Sequence, residues 1–274
     1  TLCGILKENK SRFMHTEHFN RRKIRLVSAV SFAVGFLDAF LIYILSTYFA
    51  ALSSNDTVGV FYLAAYSGVF ISLFLLQPLI RRIGRAHILY LALGIAILAS
   101  AALSATSVPA IAIGAALLLI VATNVIWVAL DILLESFSQD RVSGSIRGLY
   151  LTIMNAGLLS APFLSLKMLD MFSYEGIFLT LVIGYTLIFI VALVGFRTDN
   201  KVFQEKLLFG STLKKMLRER NLLHIYHVSF AMEFFYALMI VYTPIYLRSL
   251  GYSWSELGGI FTAMLIPFVL LQYP

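Results

Sequence analysis

The chain is a succession of long apolar runs separated by short polar segments. Each run is close to the ~20 residues that a helix needs to cross a hydrocarbon core of ~30 Å. We number these runs spans 1 to 8 and place them at residues 26–49, 58–80, 87–106, 109–134, 148–170, 175–197, 222–247 and 257–274. The pattern predicts an all-α, polytopic transmembrane helical bundle.

Span 1 occurs a second time as span 7. Residues 26–52 align with residues 224–250 without a gap, and the segment VSFA at residues 30–33 returns at residues 228–231. Two copies in the same orientation indicate a parallel repeat of two membrane-embedded halves. Chance similarity between two helices rich in Phe, Ala and Ile is the alternative.

The composition agrees with an integral membrane protein. Hydrophobic residues make up 60% of the chain and charged residues only 13%, whereas soluble domains have roughly 45–50% and about 25%. The net charge of +7 does not indicate nucleic-acid binding, because the basic residues sit in short loops beside apolar runs. The single Cys3 excludes an internal disulfide, and we expect no metal and no cofactor.

The basic residues also orient the spans. If the N-terminus is cytoplasmic and the spans alternate, all of the 21 Lys and Arg residues except Lys167 and Arg248 fall on the inside. Such an asymmetry is typical of inner loops. We therefore expect a plasma (inner) membrane protein with a cytoplasmic N-terminus.

The same spans predict the domain organisation. We expect a basic cytoplasmic segment at residues 1–25, a six-helix bundle at 26–197, a linker at 198–221 and two helices of a second bundle at 222–274. The linker carries Phe209, Leu213 and Leu217 on one face, which is typical of an amphipathic helix on the membrane surface; a solvated linker is the alternative. Because the chain starts with Thr1 and stops in span 8, we expect a fragment of a twelve-helix protein.

Six helices, a basic linker and a second half that begins with a copy of span 1 resemble the major facilitator superfamily. The family's loop after its second helix reads approximately G-x-L-x-D-R-x-G-R-K. Residues 77–86 match it at Leu79, Arg82, Gly84 and Arg85, while Arg81 replaces the acidic residue. The resemblance implies a secondary transporter of a small solute that works by alternating access.

Further motifs follow span 4. Glu135 or Asp131, followed by Arg147-Gly148, resembles the acidic residue and Arg-Gly pair of the family. Residues 157–165 resemble its G-x-x-x-G-P-x-x-G pattern, with Ala161 and Ser165 in place of glycines. That pattern goes with antiporters and favours export, but small residues four apart also let helices pack closely.

These motifs predict a gate at the inner end of the bundle. Asp131 lies about 33 Å along span 4, so we expect it to pair with Arg82, Arg85 or Arg147 rather than with substrate. We also expect Arg85 to lie within reach of Asp131 or Glu135. The gating candidates are Arg82, Gly84, Arg85, Asp131, Glu135 and Arg147.

Acidic residues within the spans are the candidates for transport, since a charge in hydrocarbon is costly. Asp38 lies about 18 Å into span 1, and Glu233 lies about as deep in span 7. Both are near the midplane, where this architecture places its substrate and ion sites. The substrate and coupling-ion candidates are Asp38, Glu233, Tyr236, Ser229, Asn124 and Trp127. The alternative is that the acids are structural and bonded to neighbouring helices.

No deep basic residue is positioned to neutralise either acid. Desolvation without a cationic partner favours the protonated form of a carboxyl, so we expect coupling to protons; a cationic substrate is the competing partner. We expect a protein that functions as a monomer in the lipid bilayer and is not an enzyme. A polytopic membrane enzyme would need a reactive cluster within the spans, and none is visible; a non-transporting receptor is the other alternative.

Overall fold

The computed structural model describes residues 20–42, 44–53, 57–137, 143–197 and 217–271. All regular secondary structure in these ranges is helical. The helices are α1 (Arg21–Ile42), α2 (Leu45–Leu52), α3 (Val58–Ile83), α4 (Arg85–Ala105), α5 (Pro109–Phe137), α6 (Ser143–Gly195), α7 (Arg220–Ser249) and α8 (Trp254–Leu271).

Six helices in the described ranges are long and apolar enough to cross a membrane. They are Arg21–Leu52, Val58–Ile83, Arg85–Ala105, Pro109–Phe137, Met171–Gly195 and Arg220–Ser249, which coincide with spans 1 to 4, 6 and 7. Spans 5 and 8 lie in α6 and α8 and are also helical where they are described. The predicted all-α transmembrane bundle is confirmed.

Span 1 departs from its prediction in two places: where the helix begins, and within the span. The helix begins at Arg21, ahead of the apolar run, because the Asn20 side chain accepts a hydrogen bond from the Lys23 backbone N–H at 3.1 Å. The predicted continuous helix is interrupted between Ile42 and Leu45, where the Ile44 N–H bonds to the Leu41 carbonyl three residues back. Hydropathy cannot detect this break, because the residues on both sides of it are apolar.

The predicted loop between spans 2 and 3 is a single residue, Gly84. The arginines of this motif extend the helices instead: α3 ends at Ile83 and α4 begins at Arg85. Gly84 has φ 87°, a backbone conformation that side chains disfavour. Its N–H bonds to the Ile80 carbonyl at 2.9 Å, which closes α3.

Spans 5 and 6 are two helices joined by a sharp bend at Ser173, whose φ is 59°, and α6 is our label for both together. The bend falls within the predicted connection of residues 171–174. The predicted amphipathic linker lies mostly outside the described residues, which resume at residue 217. Leu217 and Arg218 are both exposed, and α7 begins at Arg220.

Helix α1 packs most extensively against α6 and less extensively against α5. Its buried face recurs at helical spacing with Val27, Val30, Val34, Leu37 and Leu41. Helix α4 packs against α5 and α6.

Two glycines permit the close approach of α1 and α6. A Cβ added to Gly157 would overlap the carbonyl oxygen of Phe32, and one added to Gly35 would lie 2.7 Å from the carbonyl oxygen of Met154. In lipid, helices associate largely through such close packing. The packing interpretation of the motif at residues 157–165 therefore holds at Gly157.

The helix ends form two groups at opposite ends of the bundle. We call the end that contains Arg21–Arg25 and Arg197 the basic end. There the Asn20 N–H lies 3.4 Å from the Phe137 carbonyl, and the Lys23 ammonium donates to the Gly195 carbonyl at 2.5 Å. At the opposite end Tyr48 packs against Tyr174 and Phe49 against Phe61, with ring centroids 5.0 and 5.1 Å apart. This alternation is that of an up-and-down bundle.

Helix α7 meets the bundle only near the opposite end. It contacts α2, and a Cβ on Gly59 would lie 2.6 Å from the Tyr242 hydroxyl. Val241 and Pro244 are its buried residues, whereas residues 224–235 are exposed. Within the described residues, the space between α7 and the bundle is therefore open on the side of the basic end.

Helix α8 packs against α6 and buries Leu257 and Phe261. Its start is fixed by a capping box, in which the Ser253 N–H and hydroxyl each donate to the Glu256 carboxylate at 2.8 Å. The backbone bond from Ser253, and then the hydroxyl bond, lower the pKa of Glu256 from its ordinary value.

Candidate functional site: an acidic and aromatic cluster

Asp38 and Trp127 are joined across the centre of the bundle. The indole N–H of Trp127 on α5 donates to a carboxylate oxygen of Asp38 on α1 at 3.1 Å. Both side chains are half-buried. Gly35, one turn before Asp38, lies beside the indole: a Cβ at that position would be 3.5 Å from its nearest carbon, an ordinary van der Waals contact.

Three tyrosines lie near Asp38, and two of them also lie near a second acid, Glu233. Tyr66 on α3, Tyr185 on α6 and Tyr236 on α7 all interact electrostatically with Asp38. Tyr66 and Tyr236 also interact with Glu233 on α7. We call these residues the acid–aromatic cluster: Asp38, Tyr66, Trp127, Tyr185, Glu233 and Tyr236.

The cluster brings together four of the six residues predicted for substrate and ion binding. The other two are placed differently. Asn124 donates its side-chain amide to the Ile120 carbonyl of its own helix at 2.8 Å. Ser229 is exposed, whereas Ser31, its partner in the sequence repeat, is fully buried. The two positions that the repeat makes equivalent therefore have different surroundings among the described residues, and the two-half repeat stays a prediction.

The chemistry of the cluster is that of carboxyls among neutral partners. Within the described residues, neither Asp38 nor Glu233 forms an ion pair. Its members are two carboxyls, phenol hydroxyls and an indole N–H, so the uncompensated groups are negative when ionised. Such a set favours the uptake of a proton or the binding of a cation.

Tyr66 and Tyr185 were not predicted as part of the site, whereas Tyr236 was. Tyr66 lies about 12 Å into α3, which enters the ~30 Å hydrocarbon core from the face opposite to α1. Its depth therefore matches that of Asp38, about 18 Å from the other face, and depth alone would have identified it. Tyr185 is fully buried with a hydroxyl that has no hydrogen-bond partner among the described residues. A buried unpaired hydroxyl is rare, but it is created by helix packing and cannot be recognised from the sequence.

Two of the gating candidates, Asp131 and Arg147, are in contact at the basic end. Asp131 pairs with Arg147 at 3.7 Å, and the two side chains are 48% and 66% exposed, so this pair contributes at most about 1 kcal/mol. Arg147 is one of the three arginines expected for Asp131. The expected contact of Arg85 with Asp131 or Glu135 stays a prediction, as does the gating role of Arg82 and Gly84.

A residue that the sequence did not indicate lies beside this pair. Tyr150 is buried, and its hydroxyl lies near Asp131 and Ser31 without completing a hydrogen bond to either. It lies between the ion pair at the basic end and the buried face of α1.

The sequence of the chain matches a known family over almost its whole length. The family model of the Major Facilitator Superfamily matches residues 27–273. The chain belongs to the major facilitator superfamily. No curated protein matches it significantly.

Membership in the major facilitator superfamily makes the chain an integral membrane transporter with a small-molecule substrate. Its helices are long and apolar enough for the bilayer. In this superfamily member, the residues of the acid–aromatic cluster come from five helices: α1, α3, α5, α6 and α7.

We expect the Tyr185 hydroxyl to contribute nothing to stability. Its buried oxygen has no hydrogen-bond partner in the described residues, and removing an unsatisfied buried hydroxyl is neutral or stabilising. Tyr185→Phe should therefore unfold thermally at the same temperature as wild type, or slightly higher, in detergent. A loss of about 1 kcal/mol or more would mean that the hydroxyl is hydrogen-bonded.

Proposed function

We propose that this major facilitator superfamily member is a secondary transporter that works by alternating access and couples transport to protons at Asp38. The observation that carries the proposal is the placement of Asp38. Its carboxyl is half-buried, receives only a neutral donor, Trp127, and has no ion-pair partner among the described residues.

The position of the cluster supports the alternating-access mechanism. Helix α7 contacts the bundle near Tyr242, and its residues toward the basic end are exposed. The acid–aromatic cluster lies where α7 separates from the bundle. A carrier open at one end and closed at the other has this arrangement, with the Asp131–Arg147 pair at the rim of the open side. The motif at residues 157–165 favours export as the direction of transport.

Glu233 is the second proton-binding candidate. It interacts with Tyr66 and Tyr236 of the same cluster, but it is exposed. An exposed carboxyl is desolvated less by the protein than the half-buried carboxyl of Asp38, so we assign Glu233 a smaller part in coupling than Asp38.

A cationic substrate is the second candidate for the role of these acids. Aromatic faces attract cations; Trp127 and Tyr185 lie near Asp38, and Tyr66 and Tyr236 lie near both Asp38 and Glu233. In that case the acids would hold the substrate itself, and substrate binding would compete with protonation.

The test uses proteoliposomes that contain a pH-sensitive dye. Solutes of different charge are added outside, and a proton-coupled carrier moves protons when its own solute is present. Proton movement above that of protein-free vesicles for at least one solute supports the proposal. Solute movement without any proton movement contradicts it.

We also propose that the protein lies in the plasma membrane with its basic end on the cytoplasmic side, and that it functions as a monomer. With Cys3 replaced by Ser, cysteines are placed singly at Arg218, near the basic end, and at Ser249, near the opposite end. In intact cells, a membrane-impermeant maleimide should label Ser249→Cys and spare Arg218→Cys. The reverse pattern would overturn the orientation.

A further inference from the structure

The outer surface of the bundle carries a pocket where α1 and α6 meet at the basic end. Its volume is about 890 Å³. Its polar lining consists of Asn20, Arg22, Lys23 and Arg25, and the rest of its lining consists of Leu26, Ile190, Val191, Val194 and Gly195. The acid–aromatic cluster contributes no residue to this pocket.

The polar side of the pocket is cationic. Arg22 and Arg25 are exposed and lie three residues apart, which places them on the same face of α1. Within the described residues, neither is paired with a carboxylate. Lys23 is fixed between the two helices by its bond to the Gly195 carbonyl, and its ammonium lies 5.9 Å from the Phe196 ring centroid.

The apolar side continues along α6 as a track. Large exposed apolar side chains recur on one face of this helix, and they are Leu179, Ile183, Leu187, Ile190 and Val194. The track is about 22 Å long at 1.5 Å per residue, which exceeds the ~15 Å thickness of one hydrocarbon leaflet. It runs from the cationic rim toward the middle of the membrane.

We propose that this pocket is a binding site for an anionic phospholipid of the leaflet at the basic end. Arg22 and Arg25 bind the phosphate, and the α6 track takes an acyl chain. Clusters of basic residues at helix ends attract anionic headgroups, and each residue adds to the attraction. The continuity of the cationic rim with an apolar track distinguishes a lipid from a free phosphate, which would need no track.

The experiment is native mass spectrometry of the full chain in detergent with equal amounts of phosphatidylglycerol and phosphatidylcholine. Wild type should retain phosphatidylglycerol in preference. Arg22→Gln/Arg25→Gln should reduce that preference by roughly an order of magnitude. The matched control is Arg218→Gln/Arg220→Gln, which removes the same charge from exposed positions of the basic end and should keep the preference.

The single variants Arg22→Gln and Arg25→Gln test the proposal if the double variant does not insert. Addition of soluble glycerophosphate separates the two sources of phosphate, because a lipid site should keep its bound lipid. Displacement by glycerophosphate would show a site for free phosphate. Equal lipid loss in both double variants would show general surface charge, and unchanged retention in Arg22→Gln/Arg25→Gln would show no site; each of these overturns the proposal.

Discussion

Asp38→Asn should abolish proton movement driven by solute in proteoliposomes, to the level of protein-free vesicles. The substitution keeps the shape of the side chain and an oxygen that can accept from the Trp127 N–H, but the amide cannot load or release a proton. Exchange of labelled for unlabelled solute needs no net proton transfer, so it should persist. Loss of coupling with retained exchange is the result expected of a proton-binding residue.

The other acid provides the comparison. Glu233→Gln should reduce proton movement less than Asp38→Asn, because Glu233 is exposed. If the acids bind a cationic substrate instead, Asp38→Asn should lose exchange as well as coupling. If both single variants and the double variant keep wild-type proton movement, neither carboxyl is the coupling site and both acids are structural.

Gly157→Ala should destabilise the bundle by about 1–3 kcal/mol, the usual cost of overpacking. The added Cβ would overlap the Phe32 carbonyl oxygen and lie 3.1 Å from the Phe36 N. Backbone atoms cannot turn aside as a side chain can, so α1 and α6 must separate. Thermal unfolding in detergent measures the loss, and transport should fall too because α1 carries Asp38.

Gly94→Ala is the matched control. Gly94 lies within α4, and a Cβ there would meet nothing within 4 Å. Alanine is the better helix former by about 1 kcal/mol, so this variant should be as stable as wild type or more stable. Equal stability of the two alanine variants would contradict the close packing of α1 against α6.

Most of the fold follows from the sequence because membrane spans need long apolar runs, and short polar segments separate them. The departures occur where the deciding contact is local. The break before Leu45 lies between apolar residues on both sides, and the arginines around Gly84 belong to helices although they are polar. In both cases hydrogen bonds at a helix end, rather than hydropathy, set the boundary.

The site was only partly predictable. Depth along the helix identified Asp38 and Trp127, since it depends on residue number alone. Helix rotation and packing decide the rest: Asn124 bonds back to its own helix, Ser229 is exposed, and Tyr185 is brought to Asp38 by the packing of α6. None of these follows from spacing within a single span.

Reversible protonation of Asp38 is the central claim, and Trp127 reports on it most directly. The chain has two tryptophans, so Trp254→Phe leaves Trp127 as the only indole, hydrogen-bonded to Asp38 at 3.1 Å. A bond to an ionised acceptor is stronger than one to a neutral acceptor, and the emission should therefore change when Asp38 changes its charge. The account predicts a single pH-dependent step in the fluorescence of this variant and none after Asp38→Asn is added. A step that persists in Asp38→Asn, or no step in either protein, would contradict it.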